Sequence, residues 1–476
     1  MLNLSQQFLL SSPSLMVFFT AIVTMLFDLF KPKSSATNYL AILGLLISVF
    51  LCCNINLEDK LMIWSNHFII DNATYLMQMF IVVSVILSLI YANHRYPSLH
   101  SAKGDVISLY LFATLGMMCL AAAQSLLTIY VCLELTSLPL YALVAAQKND
   151  SKAVEAAVKY FIMGAIASAF ILFGISILFG LTGHLDITSV VKALRSMQNF
   201  SLIILVAIIF IIAGVAFKLA LFPFHMWIPD VYAGASPVVT LFLSAAPKIA
   251  GFAILFRLSL AGLFNVVPQV QHLIILVGLA SITVGNLSAL YQKDLRRLLA
   301  YSTIAHMGYV ILGFATDTKA GTSGALFYIL TYALMTLSGF AVIILAKNQD
   351  VVLSNVADLQ GLNKRNPWLA AMLMIVFFSM AGVPPAIGFF AKFFIIRALV
   401  DSHLTATAIS ALLLAVIGAF YYLRLIKTMY FAAPAENQGT ILLNKSSSVI
   451  YFIQAVALLL LGMYPAFLIN ACWQAF

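Results

Sequence analysis

Charge is what this chain has least of: Asp, Glu, Lys and Arg make up only 9% of its 476 residues, against roughly 25% in an average soluble domain. So thin a polar inventory excludes water as the main solvent of the fold. Nucleotide-binding punctuation is missing too. There is no G-x-x-x-x-G-K-[ST] loop, no strand-embedded G-x-G-x-x-G, no cysteine cluster for iron and sulfur, and no histidine pair at metal spacing. The polypeptide therefore carries none of the sequence devices that bind nucleotide, flavin, metal or an iron–sulfur cluster. Its five cysteines, Cys52, Cys53, Cys119, Cys132 and Cys472, include no C-x-x-C pair, and four fall in apolar runs, where they read as small apolar residues. The connections are mostly short, the longest lying around Asp350 to Asn366, which leaves no room for a soluble catalytic domain. Any redox chemistry belongs to partner subunits.

What is present is hydrophobic sequence, 63% of the chain. Apolar runs of about twenty residues recur from Leu15 to Ile469, each long enough to cross a hydrocarbon core about 30 Å thick as a helix. Reading breaks from charges, Pro, Gly and Asn places spans near residues 13–30, 38–54, 74–93, 105–123, 126–146, 159–182, 202–225, 237–262, 270–291, 298–315, 323–346, 367–397, 404–427 and 448–470. The expected fold class is an all-α membrane protein with about fourteen transmembrane helices. The runs are continuously apolar and lack the alternation of barrel strands, which argues against a β-barrel. The uncharged start, Met1 to Ser12, lacks the basic region of a secretory signal, so the first span reads as a retained helix.

A formal net charge of +9 raises the question of a nucleic-acid partner, and the distribution of the basic residues answers it. Of the 25 Lys and Arg, three lie deep inside spans; six of the rest, in connections or near span ends, fall on one side (Lys60, Lys192, Arg195, Arg257, Lys319 and Arg397) and sixteen on the other. That asymmetry is the positive-inside signature of a membrane protein, and an even number of spans keeps it in phase. It predicts both termini outside.

Four ionisable side chains lie deep in the apolar spans: Glu134, Lys218, Lys248 and Lys392. A charge near the bilayer centre costs about 2.5 kcal/mol or more, so such residues face a bundle interior and mark ion paths. Lys248 lies roughly 16 Å into its span and Glu134 about 12 Å into its own, counting about 1.5 Å per residue. Lys248 is too deep to snorkel; its alternative reading is a lysine paired for stability. Glu134, the one mid-span carboxylate, needs a cationic partner or else serves as a protonated packing group. Lys218 precedes a break at Pro223, which cannot donate a backbone hydrogen bond, and His225 follows seven residues on, nearly on the same helical face. Lys392 follows a second break at Pro384 and Pro385, which leaves carbonyls free in mid-span. Snorkelling is the alternative for Lys218, and an interfacial position that for Lys392.

Paired Pro-interrupted helices in two halves of a chain point to an inverted repeat with its ion path at the interface. Spans four to eight set against nine to thirteen place Lys218 opposite Lys392 and Glu134 opposite His306, with no basic counterpart for Lys248. His306 has Ser302 and Thr303 one turn before it, a setting for a water chain or for a histidine satisfied by a neighbouring hydroxyl. The eighteen methionines and thirty-six phenylalanines read as packing and lipid-facing residues.

Four stretches carry a resemblance that spans essentially the whole chain: FKLALFPFHMWIPDVY from Phe217, LSAAPK from Leu243, KDLRRLLAYSTIAHMGY from Lys293 and GVPPAIGFFAK from Gly382. In these the chain resembles the antiporter-like membrane subunits of respiratory complex I, the proton-pumping NADH:quinone oxidoreductase, and its Pro229 to Tyr232 and Ala246 to Lys248 wording is similar to the N branch. The resemblance implies fourteen helices with two inverted five-helix half-channels: residues 105–262 as the first, 263–430 as the second, 1–104 as three preceding helices, and 431–476 as a closing loop and helix. It implies that Glu134 pairs with Lys218, that Lys248 connects and that Lys392 faces the second half, with His225 and His306 in lesser relay roles. The family often has an acidic residue where this chain has Ala233, which removes any loop contact of that carboxylate.

By the same resemblance, FMN and iron–sulfur clusters reside in partner subunits. The partners are the other membrane and peripheral subunits of the complex, the lipid bilayer, and quinone through the complex, with no nucleic acid. The implied location is a bacterial inner membrane with periplasmic termini. Two rivals stand beside this: a subunit of a multisubunit sodium/proton antiporter, using the same lysines without NADH, and a purely structural scaffold, which accounts for the helices but not for the buried charges.

Overall fold

The computed structural model describes residues 3–31, 34, 36–55, 59–95, 103–197, 201–345, 353–434, 441, 443 and 445–475. Lys33 and Lys347, two of the sixteen basic residues assigned to one side, and Asp350 lie outside the described residues. The apolar runs become helices almost one for one. In chain order come α1 (Leu4–Leu10), α2 (Ser12–Phe30), α3 (Ala36–Asn54), a hairpin of β1 (Leu61–Ile63) and β2 (Phe68–Ile70), α4 (Asn72–Arg95), α5 (Lys103–Ala122), α6 (Leu126–Val144), α7 (Ser151–Thr182), α8 (Ile187–Arg195) and α9 (Ser201–Leu219). There follow α10 (Trp227–Gly234), α11 (Pro237–Leu260), α12 (Gln269–Leu290), α13 (Leu295–Leu312), α14 (Lys319–Leu345), α15 (Leu362–Arg365), α16 (Pro367–Ala381), α17 (Ile387–Asp401), α18 (Thr405–Phe431), α19 (Lys445–Met463) and α20 (Pro465–Gln474).

Among the described residues, twelve helices are long and apolar enough to cross a membrane, and α19 with α20 makes a further bent pair. The chain is a multi-pass membrane protein. It divides into two compact units, one of Met1–Leu219, Ala246–Leu273 and Gln474–Phe476, the other of Ala220–Ala245 and Ile274–Trp473. Within the apolar windows, α11, α13 and α14 are 94% buried and α2 only 28%, which separates interior helices from peripheral ones.

In the first unit, lipid supplies no hydrophobic drive between helices, so close approach of small residues takes over. A Cβ at Gly174 on α7 would sit 2.6 Å from the Ala207 carbonyl oxygen of α9, and one at Gly214 on α9 would sit 2.5 Å from that of Ala167 on α7. This contact seats α9, and with it Lys218. The start of α7 is earlier than the apolar pattern implies, because Asp150 caps it by accepting from the Lys152 amide at 2.9 Å. Lys159 then pairs with Glu155 one turn back at 2.8 Å, so both charges ride on the helix end instead of in a connection. Likewise α8, absent from the sequence reading, is capped by Asp186 and buries Ile187, Val190, Val191 and Leu194 on one face.

Arg257, counted with the basic residues of the outer side, lies in the last turn of α11 and is only 3% exposed. Its guanidinium meets the Asp71 carboxylate at 2.6 and 3.0 Å and also donates to Thr74 Oγ1 at 2.6 Å and to the Ala121 carbonyl at 2.9 Å. Asp71 in turn accepts from the Thr74 amide at the start of α4. One planar donor fork thus ties together the ends of α4, α5 and α11, the kind of geometry in which arginine and not lysine fits.

Candidate functional site

The first unit assembles three of the sequence-selected residues. On α6, Glu134, Ser137 and Tyr141 follow one another at spacings of three and four, which puts them on one face. Helix α9 stops at Leu219: Ala220 takes a left-handed conformation (φ 63°) and Pro223 supplies no donor. The last carbonyls of α9 are therefore without helix partners. Lys248 on α11, 1% exposed, reaches one of them and donates to the Lys218 carbonyl at 2.9 Å. A cation at the negative end of a helix is favourable electrostatically.

The Lys218 ammonium itself points to α6, donating to Ser137 Oγ at 2.7 Å and to Tyr141 Oη at 3.4 Å. Glu134 lies within electrostatic range of Lys218, yet among the described residues no ion pair joins them, and its buried Oε1 has no hydrogen-bond partner. The Lys218 ammonium thus rests on two hydroxyls, with the Glu134 carboxylate near but not in contact among the described residues.

The second unit holds the other group. Helix α16 closes on Gly382, whose φ of 86° suits glycine; a Cβ there would also sit 3.2 Å from the Lys392 ammonium. Lys392 on α17 folds back over this break and donates to the Ala381 carbonyl at 2.7 Å and to that of Met380 at 3.3 Å. It is 8% exposed, and its ammonium is 5.7 Å from the Tyr309 ring centre, within cation–π range. Both proline breaks therefore end in the same device, a lysine resting on the carbonyls of an interrupted helix, although in one case the lysine comes from another helix and in the other from the continuation of the same one.

His306 on α13 is held by two phenols: Tyr328 Oη at 2.8 Å from Nδ1 and Tyr422 Oη at 3.2 Å from Nε2. Tyr422 also hydrogen-bonds to Ser302, and Tyr332 donates to Thr303 at 2.8 Å. The hydroxyls foreseen beside His306 are thus engaged by tyrosines that the sequence reading did not single out. His306, Lys392, Tyr309, Tyr421, Tyr422 and Asn286 line a cavity of about 10 Å³, roughly the room of one water. His225 does not join them. Buried at 6% exposure, it stacks on Phe222 at 5.8 Å, and its Nδ1 has no partner among the described residues. Because residues 220–226 are not helical, the seven-residue spacing does not place His225 on the face of Lys218. That expectation fails for want of a continuous helix.

Among the described residues no group of three or more His, Cys, Asp and Glu is arranged to hold a metal ion.

Comparison with known proteins gives a consistent result. Residues 123–421 match the family described as NADH:quinone oxidoreductase/Mrp antiporter, TM. NADH-quinone oxidoreductase subunit N of Nitrosomonas europaea is 41% identical over 465 residues, covering 97% of this chain and 96% of that protein. A chain in the structure of respiratory complex I from Thermus thermophilus with bound aureothin superposes with a TM-score of 0.83 at 29% identity, over 96% of this chain and 98% of that one. A chain of the Mrp complex from Dietzia matches with a TM-score of 0.81 at 19% identity, over 99% of this chain and 97% of that one, a likeness of fold alone. On the strength of these matches over nearly its full length, the chain belongs to the NADH-quinone oxidoreductase subunit N family.

Proposed function

We propose that this chain, as a membrane subunit of NADH-quinone oxidoreductase, carries protons through Glu134, Lys218, Lys248 and Lys392, with His306 in the second half and His225 in a lesser role. Electron transfer from NADH to quinone takes place in partner subunits, which hold FMN and the iron–sulfur clusters. Its effect reaches this chain as a change at Glu134 and Lys218, and protons leave toward the outer side of the bacterial inner membrane. The observation that carries the reading is the pair of proline-broken helices, each with a buried lysine ammonium on its open carbonyls. Carbonyl dipoles hold an ammonium without neutralising it, so its proton can be released and regained as neighbouring charges change. A scaffold has no use for such groups. A sodium/proton antiporter subunit would use them, but the relatives at high identity are subunit N proteins.

Counting α16 with α17 as one broken span and α19 with α20 as one bent span brings the total to fourteen. The matching lysine-on-carbonyl arrangements support two inverted halves, 105–262 and 263–430, preceded by the helices of 1–104 and followed by 431–476. An even count and the basic asymmetry put both termini in the periplasm. Reporter fusions or cysteine accessibility should then place Lys152, Arg296 and Lys364 on the cytoplasmic side; termini on opposite sides would defeat the count.

The direct test of the relay is Glu134→Gln, which keeps hydrogen bonding and removes the charge. Quinone-linked proton uptake by vesicles carrying the assembled complex should fall well below wild type while the amount of complex stays near normal. Full pumping by the mutant complex would rule out a role for that charge.

A further inference from the structure

The two hydroxyls that hold the Lys218 ammonium are themselves fixed by their neighbours. Ser137 donates its own proton to the Leu133 carbonyl at 2.7 Å, which turns its lone pairs toward the Lys218 ammonium at 2.7 Å. Tyr141 supplies a second acceptor at 3.4 Å, and the ammonium stands 5.7 Å from the centre of its ring. The Tyr141 ring is held edge-on by Tyr160 at 4.7 Å and by Phe161 at 5.6 Å, both on α7. It can lie there only because α7 has a glycine beneath it: a Cβ at Gly164 would overlap Tyr141 Oη and come within 2.6 Å of Cζ.

An ammonium needs several acceptors, and hydroxyl dipoles provide them without neutralising its charge. We infer that Ser137 and Tyr141 form a neutral seat for the Lys218 ammonium, alternative to the Glu134 carboxylate, and that Gly164 is a positioning residue that admits the Tyr141 phenol. The inference rests on the relay reading of Glu134 and Lys218. With the seat present, Lys218 has a partner of modest strength to occupy when it is off Glu134; without it, the buried ammonium is left to the carboxylate alone, and the exchange between the two positions slows.

The test is made on assembled complex in membrane vesicles, measuring protons taken up per NADH oxidised, with complex content verified for each variant. Ser137→Ala should lose about tenfold of the proton movement attributable to this subunit, the worth of one hydrogen bond to a charged group. Ser137→Thr should retain it, since threonine keeps the hydroxyl and can make the same bond to the carbonyl four residues back. Gly164→Ala should lose it as Ser137→Ala does. In a Lys218→Ala background, Ser137→Ala should cost nothing further, because its effect runs through Lys218.

Wild-type pumping by Ser137→Ala, alongside loss in Glu134→Gln and Lys218→Ala, would overturn the seat and leave the relay standing. Equal losses in Ser137→Thr and Ser137→Ala would overturn it as well. Normal pumping in Glu134→Gln and Lys218→Ala would overturn the relay, and the seat with it.

Discussion

Lys218→Arg should yield an assembled complex in which this subunit's proton movement is lost as completely as in Lys218→Ala, by roughly a hundredfold, the lower end of what a positioned proton-transfer group contributes. Arginine keeps the positive charge, and its guanidinium stays protonated at any pH the protein meets, so it cannot pass a proton on. A desolvated lysine can. The arginine variant therefore separates two roles that alanine removes together: the carrier of a proton and the holder of a fixed charge near Glu134, Ser137 and Tyr141. The measurement is quinone-dependent proton uptake by vesicles containing verified complex. Full pumping by the arginine variant beside an inactive alanine variant would show that Lys218 is a fixed charge and that the relay runs elsewhere.

The largest effect on stability is expected at Arg257. Removing one partner of a buried ion pair strands the other, at a cost of about 3–5 kcal/mol, so Arg257→Leu should sharply reduce the amount of assembled complex and the thermal midpoint of what remains. Replacing both partners by apolar residues is often neutral. The double variant Asp71→Leu, Arg257→Leu should accordingly recover much of the loss, and a double variant no better than the single one would show that the other bonds of Arg257, to Thr74 and Ala121, dominate. The pair also sets an acid limit. Burial works against the Asp71 charge, but the Arg257 guanidinium and the Thr74 hydrogen bonds outweigh it and hold the carboxyl below its ordinary range. A carboxyl depressed on folding stabilises the protein above its unfolded pKa, about 3.9, and that contribution is lost as pH falls through the lower folded value. An acid-induced drop in thermal midpoint should therefore appear below about pH 4 in the wild type and be weaker in the double variant.

How much of this was legible depended on where the physics is local. Apolar length alone located the spans, because each must satisfy its own backbone in lipid. Pro223 and the Pro384–Pro385 pair marked both helix breaks, since a missing donor acts where it stands. Lys248 and Lys392 stood out because no apolar run tolerates them idly. The sequence was silent where the partner lies far along the chain. Arg257 sits near a span end, where basic residues are common, and Asp71 outside any span, so nothing in either neighbourhood announces the pair 186 residues apart. The phenols around His306 come from α14 and α18 and look like packing aromatics until the fold brings them in. Helical phase misled for His225, because the break that makes Lys218 interesting also cancels the periodicity used to extrapolate past it. The early start of α7 was hidden by Lys152, Glu155 and Lys159, charges that read as a loop and are in fact a solvated helix end.

The hydrogen-bond partners of Lys392 are main-chain oxygens, and this has a consequence for heredity. A side-chain counter-ion can be exchanged by one codon change, and a substitution at the lysine can be answered by another at its partner. A carbonyl is supplied by whichever residue occupies the position, so no mutation at Met380 or Ala381 deletes the acceptor and none can compensate for a lost lysine. Comparison of related sequences should accordingly find Lys392 without a covarying partner, and what evolves in step with it should be the residues that hold the helix open: the prolines, and the glycine at the break.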